Sequence, residues 1–237
     1  MPRKQTLPRS IATAARWPVG VALTSWRYMW RTTPLYRSEE DGAWPEDAPP
    51  PLPDEVKRDD FQRPRDGSGP LFHRRYSARI ERARLEPEEL IARLKENPDR
   101  AAPSEFATFR KLAGAEGGMS VGDEYVVRMP GPWDGPVAVV RSTPASFRFA
   151  TLYGHLEAGQ IDFSATDRDG LEFVIESWAT AGDRLSNLLY HRLRMSKEVQ
   201  LHMWTSFLEG VVKLSGGRRQ GGLRIHTRRV EQFPADA

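Results

Sequence analysis

Cysteine is absent from all 237 residues. That absence removes disulfides, thiolate nucleophiles, iron–sulfur clusters and cysteine-bound zinc together. Histidine is scarce, with five copies. Phosphate loops, dinucleotide fingerprints and Asp-rich metal motifs are missing as well. No cofactor and no metal are therefore expected. Long apolar runs are also lacking. The most apolar stretch, Ile11 to Trp30, is broken by Arg16, Pro18 and Arg27, whereas a spanning helix needs about 20 consecutive apolar residues. The same breaks, with no small-residue cleavage site after them, exclude a secretory signal. What is present is 39% hydrophobic and 28% charged, an ordinary balance for a folded domain with an appendage.

Charge is distributed very unevenly. Residues 1–37 carry seven cations and no acid; residues 38–66 carry ten acids against four bases; residues 67–237 are nearly balanced. A local basic segment inside a chain of net charge +3 does not describe a nucleic-acid-binding protein, and no nucleic acid partner is expected. Segment 1–37 reads as a basic, Trp-rich amphipathic leader, bent at Pro18 into helices over 10–17 and 18–31. Arg16, Trp17, Trp26, Arg27 and Trp30 are its candidate contacts with an anionic membrane surface, since Trp favours the headgroup zone and cations favour anionic lipid. The alternative is docking on a protein through Trp17, Trp26 and Trp30, the partner being unknown. Either way the protein is expected in the cytoplasm, and on the first reading peripheral to the inner face of the membrane. Segment 38–66, with six prolines, reads as an acidic Pro-rich linker acting as a stiff spacer.

The folded domain is expected over 67–217, with 218–237 a basic tail containing an edge strand at 223–230. Alternation marks six strands: 72–85, 124–129, 137–141, 147–151, 161–165 and 171–177. Asp169-Gly170 is a hairpin signal. Pro87 opens a helix whose stripe is Leu90, Ile91 and Leu94, ending at Asn97-Pro98. Ser104 caps a second short helix through Leu112. A long helix starts at Asp183 and stops before Gly216-Gly217. One apolar and one charged face describe an antiparallel sheet with one side in water. The fold class is α+β, a curved antiparallel sheet wrapped around a long C-terminal helix, leaving room for an apolar cavity between them.

The run Phe149-Ala150-Thr151-Leu152-Tyr153-Gly154-His155-Leu156-Glu157-Ala158-Gly159, followed by Phe163, resembles the domain-of-unknown-function "nineteen-ninety" family of the START-like (SRPBCC, helix-grip) superfamily. The matching positions are Thr151, Leu152, Gly154, His155, Glu157, Gly159 and Phe163. The chain departs from the pattern at Leu156, where the family has Pro, and at Gln160-Ile161, where acids are usual. The resemblance covers roughly 70–215. It implies a helix-grip fold of the kind that often holds hydrophobic ligands, typically with seven strands, and it brings no enzymatic activity.

Candidate ligand-binding residues are Phe147, Phe149, His155, Glu157, Phe163, Phe173, Ile175, His202 and Trp204. His155 and Glu157, bracketed by glycines, are either a ligand-orienting pair or a self-bonded turn. His191 and His202 share a helix face but stand about 16 Å apart along the axis, too far for one metal. Gly118-Met119-Ser120-Val121-Gly122 matches a nucleophile-elbow string, but a strand follows it where that motif needs a helix. No catalytic residue is assigned. The expected function is non-enzymatic binding of a hydrophobic small molecule or lipid. The alternatives are a cyclase- or hydrolase-type enzyme using His155, Glu157 or His202 as acid–base, and an interaction module docking through the leader.

Overall fold

Every stretch of clean alternation becomes a strand, and several stretches without one do too. The computed structural model describes residues 34–42, 47–56, 58–102, 107–128, 134–167, 169–182 and 195–231, with 195–199 as backbone only. In chain order the elements are β1 (Leu35–Asp41), β2 (Ser68–Glu81), α1 (Pro87–Glu96), β3 (Thr108–Ala113), β4 (Glu124–Arg128) and β5 (Asp134–Thr143). They continue with β6 (Ser146–Thr151), β7 (Glu157–Asp167), β8 (Leu171–Ala181), α2 (Met195–Leu214) and β9 (Arg218–Val230). Short 3-10 turns occupy Pro64–Asp66 and Pro98–Arg100.

The nine strands form one sheet in the order β1-β9-β2-β8-β7-β6-β5-β4-β3. Strands β3 to β8 are an antiparallel meander, and β8 lands beside β2. Asp169-Gly170 turns β7 into β8, with Gly170 at φ +96° and its N–H bonded to the Asp167 carboxylate. Strand β9 runs antiparallel to β2, and β1 runs parallel to β9. The sheet is thus mixed, not wholly antiparallel, and its nine strands add β1 and β3 to the six expected in the domain and the one expected in the tail. It is curved, with a helix packed against it, and the fold is α+β.

Both helices lie on the same side of the sheet. Pro87 occupies the first turn of α1, Glu88 and Glu89 suit the positive end of its dipole, and Leu90, Ile91 and Leu94 are fully buried against β6 and β7. Helix α2 packs on β2, β8 and β9 through Phe207, Leu208 and Val211. It ends at Leu214; the buried Ser215 hydroxyl donates to Val212 O, and Gly216 takes the left-handed cap at φ +70°. Asp183, His191 and the rest of the expected long helix before Met195 lie outside the described residues, as do Ser104, Phe106 and residues 1–33 of the leader; the last residues of the leader, Leu35 to Arg37, are not helical but open strand β1.

Three expectations need correction. Residues 108–112 are strand β3, not helix: pairing with β4 gives the backbone its partners and turns Phe109 toward the core. Strand β9 is not at an edge, because β1 covers its far side. The outer face of the sheet is not wet throughout, because part of 38–66 is strapped across it. Phe61, with Leu52 and Val56 beside it, packs on Ala138, Val140, Ala150 and Leu152.

Asp47 in this strap is fully buried and bonds His73 Nδ1 at 2.7 Å, while Glu176 bonds His73 Nε2 at 2.7 Å. His73 also stacks on Trp178 at 5.2 Å. Burial opposes a charge on this imidazole, but the two carboxylates outweigh it and hold its pKa above the ordinary value. Gln160 fixes the strap a few residues on, donating to Pro50 O at 2.7 Å.

Candidate functional site

Period-2 geometry sends Phe147 and Phe149 of β6, Phe163 of β7, and Phe173 and Ile175 of β8 to the helix side of the sheet. All five are at most 1% exposed. Phe163 is the hub. Its ring stacks on Phe147 at 4.7 Å and meets Phe149 at 6.2 Å, Trp204 at 5.7 Å and Phe207 at 5.5 Å. Phe207 in turn reaches Phe173 at 6.3 Å, and Tyr125 and Phe109 extend the assembly past Phe149. The structure therefore gathers the expected aromatic residues into one packed cluster. His202 is buried on α2, and Trp204 is half-buried on the same helix.

One end of this cluster is polar. Arg74 alternates with Tyr76 and Ala78 and so faces the helices, where it is only 6% exposed. Its guanidinium lies over the Phe72 ring at 4.4 Å, 3.5 Å from Gln200 Oε1 and 3.8 Å from Glu157 Oε1. Tyr76 lies two residues along, its hydroxyl pKa pushed up to about 12 by burial. Sequence reasoning passed over Arg74, Gln200 and Tyr76 as site residues. The signal was available for Arg74, since the alternation that put Tyr76 inside puts Arg74 inside too.

His155 and Glu157 open this end but do not bond each other through their side chains. His155 Nδ1 lies 2.9 Å from the Glu157 backbone N and 3.0 Å from Glu157 O, so this ring nitrogen is taken up by the backbone of its own loop. Burial depresses the His155 pKa, and the neighbouring Glu157 charge only partly restores it. Around this ring the Gly-His-x-Glu stretch forms a clamp on the strap. Gln62 donates to His155 O at 3.1 Å and accepts from Gly154 N–H at 3.1 Å. The Thr151 hydroxyl faces Gln62 O at 2.9 Å and accepts from Gly159 N–H at 2.9 Å. Gly154 is held at φ +99°, and a Cβ on Gly159 would stand 1.9 Å from Trp178 O. The residues that carried the family resemblance thus make a self-bonded turn that positions Glu157.

Ser120 is followed by strand β4, and its backbone N–H bonds Asp123 Oδ2 at 2.8 Å. Among the described residues no group of three or more His, Asp or Glu is arranged to hold a metal. No helix among them is long and apolar enough to cross a membrane. The expected membrane contacts Arg16, Trp17, Trp26, Arg27 and Trp30 lie outside the described residues.

The sequence matches no protein-family model and no curated protein. Among solved structures it is similar to the di-domain ARO/CYC StfQ of the steffimycin biosynthetic pathway, at 10% identity and TM-score 0.47. That match covers 65% of this chain and 52% of StfQ, so the chain spans about half of that protein. A Chromobacterium violaceum protein is similar at 11% identity and TM-score 0.42, covering 60% of this chain and 96% of the other. The major latex-like protein 151 of Panax ginseng gives 14% identity and TM-score 0.38, over 56% and 98% of the two chains.

Proposed function

We propose that the chain is a non-enzymatic helix-grip protein that binds a hydrophobic small molecule or lipid between the inner face of the sheet and its helices. Membership of the "nineteen-ninety" family and of the START-like superfamily belongs to the same proposal. The observation that carries it is Arg74. A guanidinium this deeply buried is costly to keep in an apolar interior. Set with Gln200, Glu157 and Tyr76 at one end of an aromatic lining, it is the kind of polar group that orients an amphiphile by its head. Phe147, Phe149, Phe163, Phe173, Ile175, His202 and Trp204 would meet the apolar part. The acid–base alternative gains no support from His155, whose Nδ1 is taken up by its own loop.

Native mass spectrometry of full-length protein purified from cell extract tests this reading. The expected result is a co-purifying acidic amphiphile whose occupancy falls at least about tenfold in Arg74→Met, the loss of one charge-assisted contact. A protein that carries nothing, and that leaves the emission of a fluorescent long-chain carboxylic acid unchanged, overturns it. We further infer that segment 1–37 holds the protein at an anionic membrane surface, a reading supported by its seven cations and three tryptophans. Equal flotation of the full chain and a chain lacking 1–33, which leaves strand β1 whole, on anionic vesicles would refute that tether.

A further inference from the structure

On the outer face, away from the aromatic lining, β1, β9 and β2 run side by side and enclose a pocket of about 340 Å³. Its walls are Arg79, Arg224, Tyr36, Gln220 and the Gly221–Gly222 backbone. The register explains why a recess exists there. Tyr36 pairs with Arg224, Arg224 with Ser77, and Gln220 with Arg79. Between the last two pairs β2 supplies one residue, Ala78, while β9 supplies three, so β9 bows away from its neighbour. Gly221 makes the bow possible at φ +71°, with open space where a Cβ would be. At Gly222 a Cβ would stand 2.6 Å from the Tyr36 ring, so the ring closes down on bare backbone.

The chemistry of the recess is one-sided. Of the arginines on β2 and β9, Arg75 meets Glu172 at 3.7 Å, Arg219 meets Glu209 at 3.3 Å and Arg228 meets Glu40 at 3.0 Å. Arg229 meets Glu231 at 2.6 Å. Among the described residues neither Arg79 nor Arg224 has a carboxylate within 4.0 Å, and no carboxylate lines the pocket. Glu172, which faces Arg79 across β8, is the acid that Arg75 engages. Two fork-shaped donors carrying two charges, with a phenol, an amide and the Ser77 hydroxyl beside them, match a doubly charged tetrahedral oxyanion far better than a single carboxylate. Concavity concentrates the field that draws such an ion in.

We propose that this recess is a second binding site, independent of the inner-face reading, and that it takes a phosphate monoester. The phosphate lies between Arg79 and Arg224, and the remaining volume with the exposed Tyr36 ring receives the group it is esterified to. The ester is either a soluble metabolite or a lipid headgroup.

The test uses the full chain, followed by 31P NMR and calorimetry with inorganic phosphate and glycerol 3-phosphate, and by flotation on phosphatidylcholine vesicles with and without phosphatidic acid. Glycerol 3-phosphate should bind, and Arg79→Gln or Arg224→Gln should each weaken it by roughly tenfold. Arg110→Gln, an exposed cation on β3, should leave binding unchanged. Binding of the soluble ester, with flotation on phosphatidic acid unchanged in the Arg79→Gln/Arg224→Gln double variant, assigns a soluble ligand. Flotation on phosphatidic acid that drops in the Arg79→Gln/Arg224→Gln double variant assigns a headgroup. Absence of binding in every arm, or equal loss in Arg110→Gln, overturns the site. Should the double variant fail to give the native melting curve, the single variants and Tyr36→Phe carry the comparison.

Discussion

Individual side chains set how this domain responds to acid, base and crowding. His73 ties the Asp47 strap to Glu176 on the sheet, and its pKa in the fold is raised. A base whose folded pKa exceeds its unfolded value contributes fully below the unfolded value, near pH 6.5, and loses that contribution as pH climbs through the folded value. The melting temperature should therefore decline between pH 6.5 and 9, and His73→Gln should flatten that decline, as read by calorimetry across the range. An unchanged slope in the variant would mean that His73 does not hold the strap. Glycines supply a second contrast. Gly159→Ala drives a methyl into Trp178 O and should cost about 3 kcal/mol. Gly154→Ala meets open space and should cost only the left-handed backbone strain, about 1–2 kcal/mol. Urea melts of both variants rank them, and equal losses would contradict the close approach. Neither role was legible in the sequence: it marked both glycines, but the bond from strap to loop that gives them meaning joins residues 92 apart.

At the level of elements, legibility followed the source of each element's stability. Strands β2 and β4 to β8, helix α1 and the end of α2 could be read because their own alternation, stripes and caps specify them. Strand β3 could not, because Thr108 to Ala113 has as much helical as extended character, and pairing with β4 decides the matter. Nor could β1, whose Glu39-Glu40-Asp41 looks like a solvated acidic run until it is laid beside Thr227-Arg228-Arg229 of β9. In sequence the acidic and basic blocks look like a linker and a tail; in the sheet they are cross-strand partners, Glu40 bonding both His226 and Arg228. Helix α2 carries its own prediction. Glycine inside a helix normally gains about 1 kcal/mol when changed to alanine. Gly210 is pressed against Ala101, whose carbonyl oxygen would lie 2.2 Å from an added Cβ. Gly210→Ala should therefore destabilise the protein, and a higher urea midpoint for the variant would contradict that packing.

For the molecule as a whole, the two faces of one sheet have separate work. The inner face gathers the aromatic cluster, which periodicity marks, and a polar end whose Arg74, Gln200 and Tyr76 were not among the expected site residues. The outer face carries the strap, the ion network and the arginine recess; the recess depends on β1, which periodicity did not reveal, and on β9, of which only 223–230 was expected and then as an edge. Removing 218–237 takes away the strand that separates β1 from β2, which among the described residues is the one strand paired with β1. The truncated chain should lose its cooperative melt and scatter light on warming; a sharp, monomeric transition would refute the dependence. Synthesis runs from the amino end, so the slot for β9 is the last one filled. A nascent chain halted short of residue 218 would leave the ribosome with two raw strand borders open to the solvent, poised to zip onto another unfinished copy.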